Sequence, residues 1–341
     1  MNKPAVLLDE RYFDHRVDLP SPENPNRLRK LFPLVKQKYN GSLRLIEPRE
    51  ACIEEIERIH SAFYVRQIRE HVIKNDPYSY DKDTYLMDHS LTTAQLAVGG
   101  CIELAERIIN GELNQGFALI RPPGHHAEPG RGMGFCIFNN VAVTAKFLQE
   151  RYGVERILII DYDIHHGNGT QEAFYDSDEV LFISVHQNNL FPFSGTEREI
   201  GNENGRGYNI NMPVHSQFGD EEYTFLIGKL LQSVAEQFMP EIILISAGFD
   251  GHADDNISGT LLSTRWFHTI TTMLRQSARD ICNDRILFVL EGGYNQDSLE
   301  ESVLATIDSL LQPEMPRVGV LHSERADSLL KKHPLNQFWT L

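Results

Sequence analysis

Short apolar runs alternate with longer segments of helical periodicity along the chain. The runs read GFALI at 116–120, RILII at 156–160, VLFISV at 180–185, IILIS at 242–246 and ILFVL at 286–290. Runs that are apolar on both faces are typical of strands that are covered on both sides. The pattern therefore predicts a mainly parallel sheet wrapped by helices, which is the α/β class.

Longer segments with apolar residues at helical spacing fall between these runs. They are 101–112, 139–153, 220–238 and 263–281. Gly111 and Gly153 close the first two, as glycines near helix C-termini commonly do. No fixed-period repeat, low-complexity tract or linker interrupts the alternation. We therefore expect a single domain over 1–341, with its core at about 20–310.

Charge and hydropathy narrow the possible partners. The 341 residues include 48 acidic and 32 basic side chains, a formal net charge of −16. The basic residues are scattered, which argues against a direct nucleic-acid partner. The acidic field suits a cationic substrate, or it serves solubility alone. No run approaches the ~20 apolar residues of a membrane span, and the first apolar run is too short for a signal peptide. We expect a cytoplasmic protein without a membrane partner, and leave open whether it forms a homo-oligomer.

Polar residues follow four of the apolar runs. After 116–120, 156–160, 242–246 and 286–290 the chain reads RPPGHHAEPGRGMGF, DYDIHHGNGT, AGFDGHADD and EGGY. Open α/β sheets keep their ligand crevice at the carboxyl ends of the strands. One such cluster is commonplace, but four predict a single site that is assembled from several loops.

The second of these segments has the spacing of a metal site. Alternate residues of a strand end point the same way, so Asp161, Asp163 and His165 can share a face. Asp163 and His165 supply a carboxylate and an imidazole, and Asp250 in SAGFD is the best third ligand. Three protein ligands leave a fourth position for water, as a catalytic zinc requires. In the alternative interpretation, the aspartates cap helices and the histidine is a hydrogen-bonded loop residue.

Two further features point to acid–base chemistry. His125 and His126 follow a rigid PPG lead-in, and adjacent imidazoles in such a loop could face one reacting centre as general acid and base. Tyr294 follows the flexible glycine pair of EGGY, so its phenol could reach a developing oxyanion. Taken alone, a tyrosine that packs at a strand end is an equally good interpretation.

With these motifs in this order, the sequence resembles the histone deacetylase superfamily, which shares its fold with the arginases. It is most similar to the class II branch and its bacterial relatives, through RPPGHHA, GFCIFNN, DYDIHHGNGT, SAGFD and EGGY. The resemblance implies an arginase/deacetylase fold around an eight-stranded parallel sheet flanked by helices. It also implies a zinc-dependent amidohydrolase that releases acetate from an N-acetyl amide of lysine or a related aliphatic amine.

The resemblance assigns catalytic roles residue by residue. Asp163, His165 and Asp250 would hold one zinc ion per chain, which activates a water and polarises the acetyl carbonyl. His126 would act as general base and then as general acid. Tyr294 would donate a hydrogen bond to the oxyanion.

The two histidines would differ in their supporting residues. In the family pattern, Asp161 backs His125 and Asn168 backs His126. An anionic partner favours imidazolium, whereas a neutral amide orients an imidazole without raising its pKa as much. We therefore expect His125 to act electrostatically and His126 to act as the base.

The resemblance also implies a potassium ion beside the zinc and an aromatic substrate channel. By this resemblance, the potassium ion would be bound, largely through backbone carbonyls, by Asp161, Asp163, His165, Ser184 and Val185. Phe135 and Phe191 would wall a narrow channel that suits an acetylated aliphatic amine. Whether Fe2+ replaces zinc in the cell is left open.

Two departures from the family pattern bear on the substrate. Many relatives read HPE-x-P-x-R where this chain has Ser21 in SPENPNR. Relatives that prefer acetylpolyamines can carry a glutamate seven residues past the third zinc ligand, where this chain has Ile257. The missing carboxylate favours acetyl-lysine or a small acyl-amine, whereas the acidic surface favours an acetylpolyamine. We place acetyl-lysine first and keep the polyamine as the alternative.

Two other classes of function are weighed against this one. A binuclear manganese ureohydrolase of the arginase type uses the same architecture, but the tandem His125–His126 and Tyr294 favour a single zinc. A catalytically silent acyl-binding or corepressor-like protein is disfavoured because every expected catalytic position is filled.

Overall fold

The computed structural model describes residues 3–74, 78–79 and 81–341. By their internal contacts, these residues form two compact units. Unit 1 contains the described residues up to Val154, together with Gly167–Ala173 and Leu287–Glu291. Unit 2 consists of Glu155–His166, Phe174–Ile286 and Gly292–Leu341. The single domain over 1–341 stays a prediction.

The described residues contain ten strands and twelve α-helices. The strands are β1 (Ala5–Leu7), β2 (Arg44–Ile46), β3 (Tyr78–Ser79), β4 (Tyr85–Leu86), β5 (Gln115–Ala118), β6 (Ile157–Asp161), β7 (Val180–Gln187), β8 (Asn209–Val214), β9 (Ile242–Ala247) and β10 (Ile286–Leu290). The helices are α1 (Asn26–Arg29), α2 (Leu31–Lys38), α3 (Ile53–Ile56), α4 (Ala62–Ile73), α5 (Ser90–Ile109), α6 (Asn140–Tyr152), α7 (Asn168–Phe174), α8 (Asp220–Leu230), α9 (Glu236–Phe238), α10 (Thr264–Cys282), α11 (Gln296–Leu311) and α12 (Glu324–Lys332). Shorter helical segments are the 3-10 turns Glu10–Asp14, Glu203–Gly205 and Pro334–Gln337 and the π-helical Leu231–Ala235.

Eight of these strands belong to the main sheet, four in each unit. In unit 1 the order is β2-β1-β5-β10, and β1 runs parallel to β2 and β5. In unit 2 the order is β9-β6-β7-β8, with β6 parallel to β9 and β7, and β7 parallel to β8. Every residue of β6 and β9 is buried, as strands that are covered on both faces require. The predicted α/β class with a parallel sheet of about eight strands is confirmed.

Helices cover the strands of each unit. In unit 1, α5 packs on β1 and β5, and a Cβ on its Gly99 would lie 2.1 Å from the carbonyl oxygen of Arg49. Only glycine allows the helix to approach that backbone so closely. In unit 2, α10 packs on β9 and α11, and Ser263 caps its first turn by accepting the N–H of Trp266.

The structure departs from the periodicity at two points. The spacing in 220–238 predicts one helix, whereas the π-helical Leu231–Ala235 separates α8 from α9. The apolar pattern misses β1 and β2, which have three residues each, and β8, whose apolar positions alternate with Asn209, Asn211 and Pro213. No helix in the described ranges is long and apolar enough to cross a membrane.

Candidate metal centre and active site

Three ligand-type side chains of unit 2 converge where two neighbouring strands end. Strands β6 and β9 pair in register up to Asp161 and Ser246, so the loops that follow them leave the same edge. His165 Nδ1 lies 3.1 Å from Asp163 Oδ1 and 3.0 Å from Asp250 Oδ2. All three residues are buried. The structure thus brings Asp163, His165 and Asp250 together, as the sequence predicts.

Backbone hydrogen bonds fix the two carboxylates. Asp163 Oδ1 accepts the N–H of His165 at 2.9 Å, and its Oδ2 accepts the N–H of Gly292 at 2.8 Å. Asp250 Oδ1 accepts the N–H of Ile164 at 3.1 Å. In this arrangement, Asp163 Oδ1 and Asp250 Oδ2 both face the imidazole of His165. A cation shared by the three side chains requires this orientation.

The electrostatics of this trio favour a cation. Burial and the negative charge of Asp163 raise the pKa of the Asp250 carboxyl to about 7. Burial disfavours the charged imidazole of His165, but its hydrogen bonds to Asp163 and Asp250 outweigh this effect and raise its pKa to about 9. Two buried carboxylates thus lie close together with only one imidazole between them, and a bound divalent cation would stabilise the negative charge of both.

The donor set fits zinc. Two carboxylate oxygens and the imidazole Nδ1 lie within 4.8 Å of one another, and tetrahedral ligands at ~2.1 Å from zinc are separated by ~3.4 Å. Glycines make room for the trio. A Cβ on Gly248 would lie 2.2 Å from Asp163 Oδ2, and a Cβ on Gly292 would lie 2.2 Å from Asp250 Oδ2.

The hydrogen bonds of His126 in unit 1 determine which of its ring nitrogens carries the proton. His126 Nδ1 lies 2.8 Å from Asn168 Oδ1, while Asn168 Nδ2 donates to Glu128 Oε1 at 2.8 Å. The Glu128 carboxylate only accepts, so the amide oxygen of Asn168 must face the imidazole. That oxygen also only accepts, so Nδ1 of His126 carries the hydrogen and Nε2 is left as the acceptor. The structure thus places Asn168 against His126, and the supporting role of Asn168 stays a prediction.

The backbone of His125 is held by a residue that sequence reasoning missed. Glu291 Oε2 accepts the N–H of Gly124 at 2.6 Å and that of His125 at 3.2 Å. The carbonyl oxygen of His125 accepts the N–H of Gly169 and of Thr170 at 3.0 and 3.2 Å. The rings of His125 and His126 lie 4.0 Å apart between centroids. The support of His125 by Asp161 involves residues of different units and stays a prediction.

A buried ion-pair network in unit 1 was also missed by the sequence reasoning. Arg121 donates to both carboxylate oxygens of Glu23 at 2.6 and 2.7 Å, and both side chains are fully buried. Burial raises the pKa of Glu23, but the charge and hydrogen bonds of Arg121, followed by Arg27, bring it down to about 2. Arg27 also donates to the carbonyl oxygen of Glu291 at 2.6 Å. The only sequence signal was the presence of both charges in the SPENPNR and RPPG segments.

The residues predicted to line the substrate channel belong to both units. The Phe191 ring lies edge-on to His165 at 6.4 Å in unit 2. Phe135 of unit 1 has a φ of 69° and donates its N–H to Thr84 Oγ1 at 3.0 Å. Ile257 is half-buried in unit 2. That Phe135 and Phe191 form one channel stays a prediction.

Three of the residues expected around potassium lie at the end of β6 and within β7. Asp161 is directly opposite Ser184 in the register, and Val185 follows in β7. All three are fully buried. Ser184 Oγ lies 2.8 Å from His186 Nδ1. The geometry leaves the potassium assignment a prediction.

Comparisons with known proteins find similarity over nearly the whole chain. The family model described as "Histone deacetylase domain" matches residues 21–310. A protein of Archaeoglobus fulgidus described as a probable deacetylase is 38% identical over 294 residues, which are 85% of this chain and 81% of that protein. Histone deacetylase 15 of Arabidopsis thaliana is 38% identical over 318 residues, which are 90% of this chain and 56% of that protein. This chain therefore spans about half the length of that plant relative.

Among solved structures, the crystal structure of the HDA15 HD domain matches with a TM-score of 0.91 and 33% sequence identity. The match covers 99% of this chain and 95% of that chain. The similarity extends over the fold and over all the segments that carry the candidate site.

Proposed function

The chain belongs to the histone deacetylase family, a family of deacetylases, and from that premise we propose that it is a zinc-dependent deacetylase of acetyl-lysine or a related acylated amine. In this hydrolysis, water adds to the amide carbonyl, the C–N bond breaks, and acetate and the free amine leave. The observation that carries the zinc assignment is the buried trio of Asp163, His165 and Asp250. The cytoplasmic location is part of the same proposal.

Asp163, His165 through Nδ1, and Asp250 would hold one zinc ion per chain, with Fe2+ as an alternative in the cell. A zinc ion bound there would supply a Lewis acid for the acyl carbonyl and for a water molecule. The protein's contribution is orientation. The amides of Gly292, Ile164 and His165 fix both carboxylates by hydrogen bonds.

His126 is the proposed general base and acid. Asn168 keeps the hydrogen on Nδ1, so Nε2 can accept the proton of the attacking water. The same Nε2–H would then deliver that proton to the nitrogen of the leaving amine. A neutral amide partner suits this exchange because it orients the imidazole without fixing it in the charged form.

His125 and Tyr294 are the proposed electrostatic partners of the reaction. His125, with Asp161 as its expected anionic support, would remain charged and stabilise negative charge on the substrate. The Tyr294 phenol would donate to the oxyanion that develops as the carbonyl carbon becomes tetrahedral. A potassium ion near Asp161, Ser184 and Val185 would have a structural role.

The substrate class rests on fewer observations. Ile257 stands where a polyamine-selective relative can carry a glutamate, which supports acetyl-lysine in a peptide or protein, or a small acyl-amine. The net charge of −16 supports an acetylpolyamine, which we keep as the alternative.

The proposal is tested by acetate release. Metal-stripped protein is titrated with zinc, and acetate is measured from an acetyl-lysine peptide and, separately, from an N-acetylated polyamine. We expect release to rise until one zinc is bound per chain, with the peptide as the better substrate. Maximal activity with two bound manganese ions would favour the ureohydrolase alternative, and tight binding of acyl ligands without release would favour the silent one.

A further inference from the structure

Asp255 holds the backbone of the segment that carries Tyr294. It lies five residues after Asp250 and is 4% exposed. Its Oδ2 accepts the N–H of Tyr294 at 2.6 Å and the N–H of Asn295 at 3.0 Å. Its Oδ1 accepts the N–H of Ile257 at 3.3 Å. Hydrogen bonds from amides to a buried carboxylate are among the stronger ties in a protein.

A second carboxylate holds the same segment two residues earlier. Gly292 donates its N–H to Asp163 Oδ2 at 2.8 Å, and its carbonyl oxygen accepts the N–H of Phe249 at 3.0 Å. Gly293, between the two tethered positions, has a φ of 122°, which L side chains rarely adopt. The chain at 292–295 is therefore fixed on either side of a flexible glycine, and Asp255 supplies the tie on the side of Tyr294.

A purely structural role for Asp255 is the competing explanation. Asn295 is the N-cap of α11, where its side chain accepts the N–H of Ser298 at 3.1 Å. Asn295 Nδ2 also donates to the carbonyl oxygen of Asp254 at 2.9 Å. These bonds hold the start of α11 in addition to the bond from the Asn295 N–H to Asp255. The Tyr294 N–H lies before the helix, and its bond to Asp255 fixes the tyrosine backbone rather than the helix.

We propose that Asp255 is a positioning residue for the Tyr294 phenol. By accepting the amides of Tyr294 and Asn295, it sets the direction in which the phenol leaves the chain, so that the hydroxyl is in place before substrate binds. This inference rests on the role of Tyr294 in the proposed function. A phenol held in advance contributes to the transition state without a further ordering cost.

Asp255→Asn, Tyr294→Phe and the double variant test this inference in the zinc-loaded protein. Asn keeps the size but replaces one acceptor oxygen by an NH2 group, which repels the amides. We expect Asp255→Asn to lower kcat ~10-fold or more, with KM and zinc content unchanged. In the Tyr294→Phe background the same change should lower kcat less than ~2-fold, because the group through which Asp255 acts is gone.

Two further measurements complete the test. Amide hydrogen exchange at 292–296 should be faster in Asp255→Asn than in the wild-type protein. Asp255→Glu keeps a carboxylate and should retain more kcat than Asp255→Asn. It serves as the test variant if Asp255→Asn folds poorly. Asp254→Asn is the matched control, since it removes the same charge from an exposed neighbour whose side chain is 76% exposed. It should leave kcat unchanged.

The outcomes separate the two claims. Equal losses from Asp255→Asn in the wild-type protein and in the Tyr294→Phe variant would overturn the positioning role while leaving the proposed function intact. Full activity of Tyr294→Phe would instead overturn the role of Tyr294 and, with it, this inference.

Discussion

The buried pair of Glu23 and Arg121 gives a quantitative test of how unit 1 is held together. Both side chains are fully buried, and Glu23 has a pKa of about 2 instead of 4.5 because Arg121 and Arg27 outweigh the cost of burial. This difference corresponds to ~3 kcal/mol of folding free energy. Because the folded-state pKa is the lower one, the contribution is complete above pH 4.5 and is lost as the pH falls through 2.

We therefore expect Glu23→Gln to lower the free energy of unfolding by ~3 kcal/mol at pH 7 and by only ~1 kcal/mol at pH 3. Urea unfolding, followed by circular dichroism between pH 7 and pH 3, measures both values. Glu10→Gln is the control, because that carboxylate is 74% exposed and such surface pairs contribute little. A loss below ~1 kcal/mol at pH 7, or a loss that does not change with pH, would refute the reasoning.

Three other changes bear on the candidate site. Asp250→Asn removes an anionic ligand and should weaken zinc binding by more than ~10²-fold, since even outer partners are worth 10–100-fold; wild-type zinc content after dialysis would count against Asp250. Asn168→Leu removes the acceptor that keeps the hydrogen on Nδ1 of His126, so kcat should fall ~10²-fold with zinc retained; an unchanged kcat would reject that support. Gly292→Ala would place a Cβ 2.2 Å from Asp250 Oδ2, whereas Gly130→Ala meets no atom within 4 Å; only the first should lose zinc, and equal zinc contents would contradict the packing argument.

Most of the candidate metal site could be predicted from the residue types at the ends of the strands. Asp163 and His165 follow an apolar run, and Asp250 follows another one about 85 residues later. Because parallel strands end at common edges, periodicity and residue type together suffice to propose that the three side chains meet. The periodicity does not reveal that β6 and β9 are neighbours, since that pairing depends on tertiary packing.

The supporting residues could not be predicted, because their partners are distant in sequence. Glu291 reaches back 167 residues to the amide of Gly124, and Glu23 pairs with Arg121 across 98 residues. No local spacing marks either pair. Their carboxylates stand in ordinary turn and strand-end segments, where a solvated charge is the more common interpretation.

The most direct test of the central claim is to locate the metal. Crystals of the zinc-loaded protein are measured on both sides of the zinc absorption edge, and the anomalous difference map is calculated. The account predicts one zinc peak per chain, bound by Asp163, His165 Nδ1 and Asp250. A peak elsewhere with none at this trio, or two adjacent metal ions at it, would contradict the account.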